Sequence, residues 1–331
     1  MLLSFELSFY FDEIEINIRT SVVPGAYGES IVMRLLDPRS IQVKLEEIGI
    51  EPKLYKHIEN SMRKLNGLIL ITGPTGSGKT TTLYAFLQKI YNPELKVITI
   101  EDPIEYHLKG ITQTQVEKGY SFFEGLRAAL RQDPDVIMLG EIRDPETAKT
   151  AVESSLTGHL VFSTLHTNNA GGVIPRLIDL EVNPKTLVSS LTISMAQRLV
   201  RKLCVNCKKE VVPKEEDMAL VRKIVSEATA NGKDVGEWKE KINSPFMLYE
   251  APGCPACGGI GYKGRIGIFE AILTDEAIEK IIPENPSERD IKNISNKQGI
   301  LDMREDGVLK ALSGITSLEE VRSVVYLEEE V

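Results

Sequence analysis

The sequence predicts an α/β protein built on a mostly parallel sheet covered by helices on both faces. Two observations carry this. Short apolar runs, Leu68–Ile71, Val97–Ile100, Val136–Leu139 and Leu160–Phe162, are the length of buried strands. Between them lie stretches with helical spacing, Thr80–Lys89, Phe123–Arg131 and Pro145–Ser155. Strands alternating with helices need crossover connections and hence parallel pairing.

The elements follow in order. Residues 1–36 read as β structure. Ile14, Ile16 and Ile18 alternate with Glu15, Asn17 and Arg19, Pro24-Gly25 signals a turn, and Ile31–Leu36 makes another strand. So few strands bury little by themselves, so this segment reads as part of a domain. Residues 37–52 read as a linker, and Leu54–Leu65 has helical spacing. Residues 53–331 form the main domain. The charged stretch Lys208–Lys241, which holds the single Trp238, reads as a solvated helical insertion between two cysteine pairs. The remainder is expected to be helical. Thr316-Ser317-Leu318-Glu319 fits a capping box with Thr316 as cap and Glu319 reaching back.

The 331 residues suggest about two domains. With 42% hydrophobic and 26% charged residues the chain can build a core without disulfides. Its net charge of −9 argues against nucleic acid as the partner. No apolar run reaches the roughly 18 residues of a transmembrane helix. Met1–Tyr10 lacks the basic start and apolar stretch of a signal peptide. A cytoplasmic location is therefore expected.

Gly73-Pro74-Thr75-Gly76-Ser77-Gly78-Lys79-Thr80 fits the phosphate-binding pattern G-x-x-x-x-G-K-[ST], with an apolar strand before it and a helix after it. Its glycines let backbone N–H groups wrap phosphate oxygens. Lys79 would neutralise the β/γ charge, Thr80 would hold Mg²⁺, and Thr81 extends the loop onto the helix. The expected ligand is ATP. Glu141 ends the apolar strand Val136–Leu139 after Gly140 and is the expected carboxylate for metal and water. Glu101, Asp102 and Glu105 follow another strand and bring further carboxylates to the same edge, with Glu101 as the alternative base. His159 and His166 bracket the strand from Leu160; either a phosphate sensor or an ordinary hydrogen-bonded histidine fits. His57 and His107 read as ordinary histidines. Cys204-x-x-Cys207 and Cys254-x-x-Cys257 supply four thiolates suited to tetrahedral Zn²⁺ in a structural role, across a gap the insertion can span.

Taken together, Gly73–Thr80, Glu101–Tyr106, Leu139–Arg143, Thr157–Asn168, Ala196–Cys207 and Gly261–Glu270 resemble the secretion ATPases of type II secretion and type IV pilus assembly. The resemblance runs from about residue 16 to the C-terminus. It implies a RecA-like P-loop ATPase core, a partial N-terminal β domain and a zinc-binding, helical C-terminal region. Glu101–Glu105 falls on the family's Asp box, Gly140-Glu141 on its Walker B and His159–His166 on its His box. It also implies a homo-hexamer at the inner face of the cytoplasmic membrane, working on an inner-membrane platform protein. Arg19 and Arg34 match arginines that approach the nucleotide as fingers. The cysteine pairs place the chain with the assembly and secretion branch rather than with retraction motors. On this reading the chain starts partway through the family's second N-terminal domain, residues 1–36 being its end. The zinc element spans about 200–262. The rival readings are a nucleic-acid-translocating or conjugation-type ATPase and a nucleotide-binding scaffold without turnover.

Overall fold

The computed structural model describes residues 3–11, 14–36 and 43–328. Three antiparallel strands come first: β1 (Leu3–Phe11), β2 (Ile14–Gly25) and β3 (Gly28–Leu36), in the order β1-β2-β3. Register pairing puts Leu7, Ile18 and Leu35 in one row and Thr20 and Met33 in the next. On this face Leu7, Phe9, Phe11, Ile31, Met33 and Leu35 stay exposed. Only Ile16, Thr20 and Val22 of the central strand are buried on it among the described residues, so the small sheet leaves much of this face open.

Helix α1 (Pro52–Met62) and strand β4 (Gly67–Thr72) begin the main domain. Then come α2 (Lys79–Ile90), β5 (Val97–Glu101), β6 (Thr112–Gln115), α3 (Phe122–Leu130), β7 (Val136–Leu139), α4 (Pro145–Leu156) and β8 (Leu160–Leu165). Helices α5 (Val173–Asp179) and α6 (Pro184–Ser190) lead into the long strand β9 (Leu191–Leu203). After β10 (Lys209–Val211) come α7 (Glu215–Ala230), α8 (Trp238–Lys241), β11 (Leu248–Glu250) and β12 (Tyr262–Leu273). Helices α9 (Glu276–Ile281), α10 (Glu288–Ser295), α11 (Met303–Leu312) and α12 (Leu318–Arg322) end the chain.

The central sheet has seven strands in the order β12-β9-β4-β8-β7-β5-β6. All neighbours are parallel except β12 against β9. Strand residues alternate between two cores. Leu68, Leu70, Ile98, Ile100, Ile137, Leu139 and Val161 face α3 to α6. Ile69, Ile71, Val97, Met138 and Phe162 face α1 and α2, where Leu54, Ile58, Leu83 and Phe86 are buried. The expected strands and helices thus appear, with ends displaced by a few residues.

Three expectations change. Residues 37–42 of the expected linker lie outside the described residues, but Leu45 and Ile48 beyond them are buried in the second core. Ile48 accepts a 2.9 Å hydrogen bond from the Gly267 N–H, so this stretch belongs to the main domain's packing. The part after the second cysteine pair is not purely helical, because it opens with β12, which pairs antiparallel with β9. Finally, Ser317 caps α12 by accepting from the Glu320 N–H, while the Thr316 hydroxyl donates to the Arg201 carbonyl. The capping box expected with Thr316 as cap is displaced by one residue.

The insertion packs on the C-terminal helices: Val221, Ile224 and Val225 of α7 meet Val308, Ala311 and Val321. Next to this third core, the Lys233 ammonium and the Glu305 carboxylate pair at 2.8 Å with side chains only 3% and 4% exposed. Burial holds Glu305 above the usual carboxylate range and Asp302 adds to this, while Lys233 opposes the rise. Lys233→Met removes that opposition and leaves a buried acid. The expected cost at neutral pH is about 3–5 kcal/mol. Because the acid's folded-state pKa lies above its unfolded value, the loss should grow as pH rises from 5 to 8. Denaturant unfolding of both chains across that range checks this; a deficit independent of pH would contradict it.

Candidate functional site

The phosphate-binding loop sits where β4 ends and α2 begins. Gly76 and Gly78 have φ of +80° and +90°, which side-chain-bearing residues rarely adopt. Those angles turn successive amides toward the cleft, above the positive end of α2. Lys79, the first residue of α2, donates to the carbonyls of Gly73 at 2.7 Å and Pro74 at 3.2 Å. Burial lowers its pKa, Glu141 opposes that, and Arg198 adds to it. The Ser77 hydroxyl is buried inside the loop without a hydrogen-bond partner among the described residues. Ser77 does not line the cleft, whereas Gly76, with open space where a Cβ would stand, and Lys79 both do, so the loop fits a polyphosphate.

The loop opens on a cleft of about 480 Å³, the size of a small-ligand pocket. It is lined by Thr75, Gly76, Gly78, Lys79, Thr80 and Thr81, and from neighbouring strand ends by Glu101, Asp102, Glu105, Glu141 and His166. Glu141 accepts from His166 Nε2 at 2.8 Å and from the Arg143 guanidinium. Burial raises its pKa, but the bonds from Arg143 and His166 outweigh this, and the net shift is downward. Asp102 lies 3.9 Å from the same arginine.

Glu101 differs. It is 2% exposed and accepts from Thr99 Oγ1 at 2.5 Å, from Gln113 Nε2 at 2.9 Å and from the Tyr84 hydroxyl. Burial raises its pKa, and those hydrogen bonds only partly offset the rise.

The histidines separate. His166 is in the cleft, whereas His159 precedes β8 and its Nδ1 lies 3.0 Å from the Ser154 carbonyl. A six-residue strand spans roughly 20 Å, so His159 is at the far end of the sheet and serves a structural bond. Its reading as a phosphate sensor is corrected. Arg34 lines the cleft from β3, and Arg19 is its register partner on β2.

Three further arginines escape a motif reading. Arg143 grips Glu141. Arg198 of β9 donates to the Asn168 carbonyl at 2.7 Å, on the loop after His166. Arg265 of β12 lines the cleft. They lie within stretches that carried the resemblance, but only the pairing of β9 with β4 and of β12 with β9 brings the last two to the loop.

The cysteines form a second site. Leu203 pairs with Tyr262, so Cys204 and Gly261 meet where β9 and β12 separate. The four Sγ atoms lie within 4.8 Å of one another, with measured pairs at 3.7 to 3.9 Å. A tetrahedral ion with 2.3 Å bonds to sulfur needs edges of about 3.8 Å. The thiols fit such an ion. Burial would raise the Cys257 pKa, but N–H groups of Cys254 and Gly261, each 3.2 Å from its sulfur, help bring it down to about 6.

Residues 5–323 match the family model described as type II/IV secretion system protein. The type IV pilus assembly ATPase PilB of Thermus thermophilus is 46% identical over 93% of this chain and 33% of its own length. The type II secretion system protein E of Pseudomonas aeruginosa is 45% identical over 95% of this chain and 59% of its own. The chain thus spans between a third and three-fifths of these relatives. Among solved structures, the pilus retraction motor PilT with bound ADP has a TM-score of 0.66 at 27% identity, covering 98% of this chain and 77% of PilT. Among the described residues no helix is long and apolar enough to cross a membrane. With phosphate loop, carboxylates and cysteine cluster in one fold matched almost end to end, the chain belongs to the type II/IV secretion system protein family.

Proposed function

We propose that this chain is the ATP-hydrolysing core of a ring motor that drives type IV pilus assembly or type II secretion. The observation that carries the reading is one cleft in which the phosphate loop, Glu141, Glu101 and Arg34 converge. Loop amides and Lys79 hold the phosphates. Thr80 and Glu141 would hold Mg²⁺, which supplies neutralisation of charge on the β- and γ-oxygens. Glu141 suits that role because its partners keep it ionised.

Glu101 suits the base better than its first assignment as an alternative implies. A base works best with a pKa raised toward the working pH, and of Glu141 and Glu101 it is Glu101 whose net shift is upward, because burial outweighs its hydrogen bonds. It takes the proton from water as the oxygen attacks the γ-phosphorus in line and the bond from that phosphorus to the β–γ bridging oxygen breaks, leaving ADP and phosphate. Arg34, with Arg19 beside it, would stabilise the charge that develops on the phosphate. His166, bonded to Glu141, is placed to register the state of that carboxylate. A homo-hexamer, an inner-membrane platform partner and a position at the cytoplasmic face of the membrane follow from family membership as parts of this proposal. The four cysteines would carry one structural Zn²⁺. The net charge of −9 speaks against a nucleic-acid motor.

Lys79→Ala should abolish ATP turnover, measured as phosphate release; wild-type release would remove the site. Glu101→Gln and Glu141→Gln should each slow kcat by about a hundredfold or more. In equilibrium titrations Glu101→Gln should keep nucleotide affinity with magnesium, and Glu141→Gln should weaken its magnesium dependence. Elemental analysis should find about one zinc per chain. Cys254→Ser should lower zinc content and melting temperature together; full zinc content in that variant would refute the assignment.

A further inference from the structure

We propose that Tyr84 is a positioning residue that holds the Glu101 carboxylate so that one lone pair of Oε2 faces the phosphate cleft. This rests on the reading of Glu101 as the base.

A carboxylate offers about four acceptor sites. Thr99 Oγ1 at 2.5 Å and Gln113 Nε2 at 2.9 Å occupy Oε1. The Tyr84 hydroxyl occupies one site on Oε2. Among the described residues one site remains, on the oxygen Tyr84 holds, and Glu101 lines the cleft. The Gln113 orientation is set by its other contacts: Oε1 accepts from the Leu108 N–H at 2.6 Å, and Nε2 also donates to the Tyr106 carbonyl at 3.1 Å. Its amide therefore presents a donor to Glu101.

Tyr84 is fully buried, with its ring edge-on to Tyr106 at 4.7 Å between centroids. Packing alone would be met by phenylalanine, so the hydroxyl has a separate use. It is carried by α2, the helix that begins at Lys79. The side chain that aims the base is thus rigidly tied to the phosphate loop, five residues upstream. The ionisable groups facing Glu101 are Tyr84 from α2 and Glu105 and Tyr106 from the loop after β5. Glu105 disfavours ionisation, while the Thr99, Tyr84 and Gln113 donors favour it. Removing the Tyr84 hydroxyl takes away one of those donors, so Glu101 stays protonated to higher pH.

The test is steady-state ATPase of the full chain across pH 5 to 9, for wild type, Tyr84→Phe and Gln113→Ala, with melting curves for each. Tyr84→Phe should lower kcat by about tenfold or more with KM within about twofold. The acid limb of its kcat profile should move to higher pH, and Gln113→Ala should move it the same way. In a Glu101→Gln background Tyr84→Phe should add no further loss. An unchanged profile in Tyr84→Phe, or an additive loss in the double variant, overturns the proposal even if wild type is active. A wild type without turnover overturns the reading of the base itself.

Discussion

Parallel pairing of β4, β8, β7 and β5 is the constraint from which the site follows. In a parallel sheet every strand delivers its carboxyl end to the same edge. Four consecutive strand ends therefore bring the phosphate loop, His166, Glu141 and Glu101 into one cleft, though they span almost a hundred residues of sequence. The backbone bond from the Gly140 N–H to the Ile100 carbonyl, 2.8 Å long, locks the two carboxylate-bearing ends together. A single antiparallel strand among these four would have sent one of the groups to the opposite edge of the sheet, where His159 lies.

Electrostatics then divides the labour within the cleft. Glu141 and Glu101 are the same chemical group at neighbouring strand ends. Cationic and imidazole partners keep the first ionised. Burial among neutral donors pushes the second the other way. Lys79 is desolvated beside Glu141 and Arg198, an arrangement that favours the arrival of polyphosphate charge.

The antiparallel β9–β12 pair does for the cysteines what the parallel strands do for the cleft. Its end brings the two pairs together independently of the length of chain between them. The insertion is free to fold as α7 and α8 and to pack on the C-terminal helices. The same pair carries Arg198 and Arg265 to the cleft side, so the cysteine cluster and the cleft share one structural support.

Local pattern alone determined the phosphate loop, the buried strands β4, β5, β7 and β8, the helices between them and the two cysteine pairs. Each depends on neighbours in sequence: glycine backbone freedom, strand-length apolar runs, helical spacing and two-residue thiol spacing. Tertiary structure decided the rest. Strand β6 is polar and lies at the sheet edge, so it gives no apolar run, yet it supplies Gln113. Strands β9 and β12 show neither strict alternation nor a continuous apolar run, because both faces are covered along only part of each strand and the end nearest the cysteines is mostly exposed. The difference between Glu141 and Glu101 was invisible for the same reason. Burial and distant hydrogen-bond partners set the state of a carboxylate, and neither is written in the residues beside it.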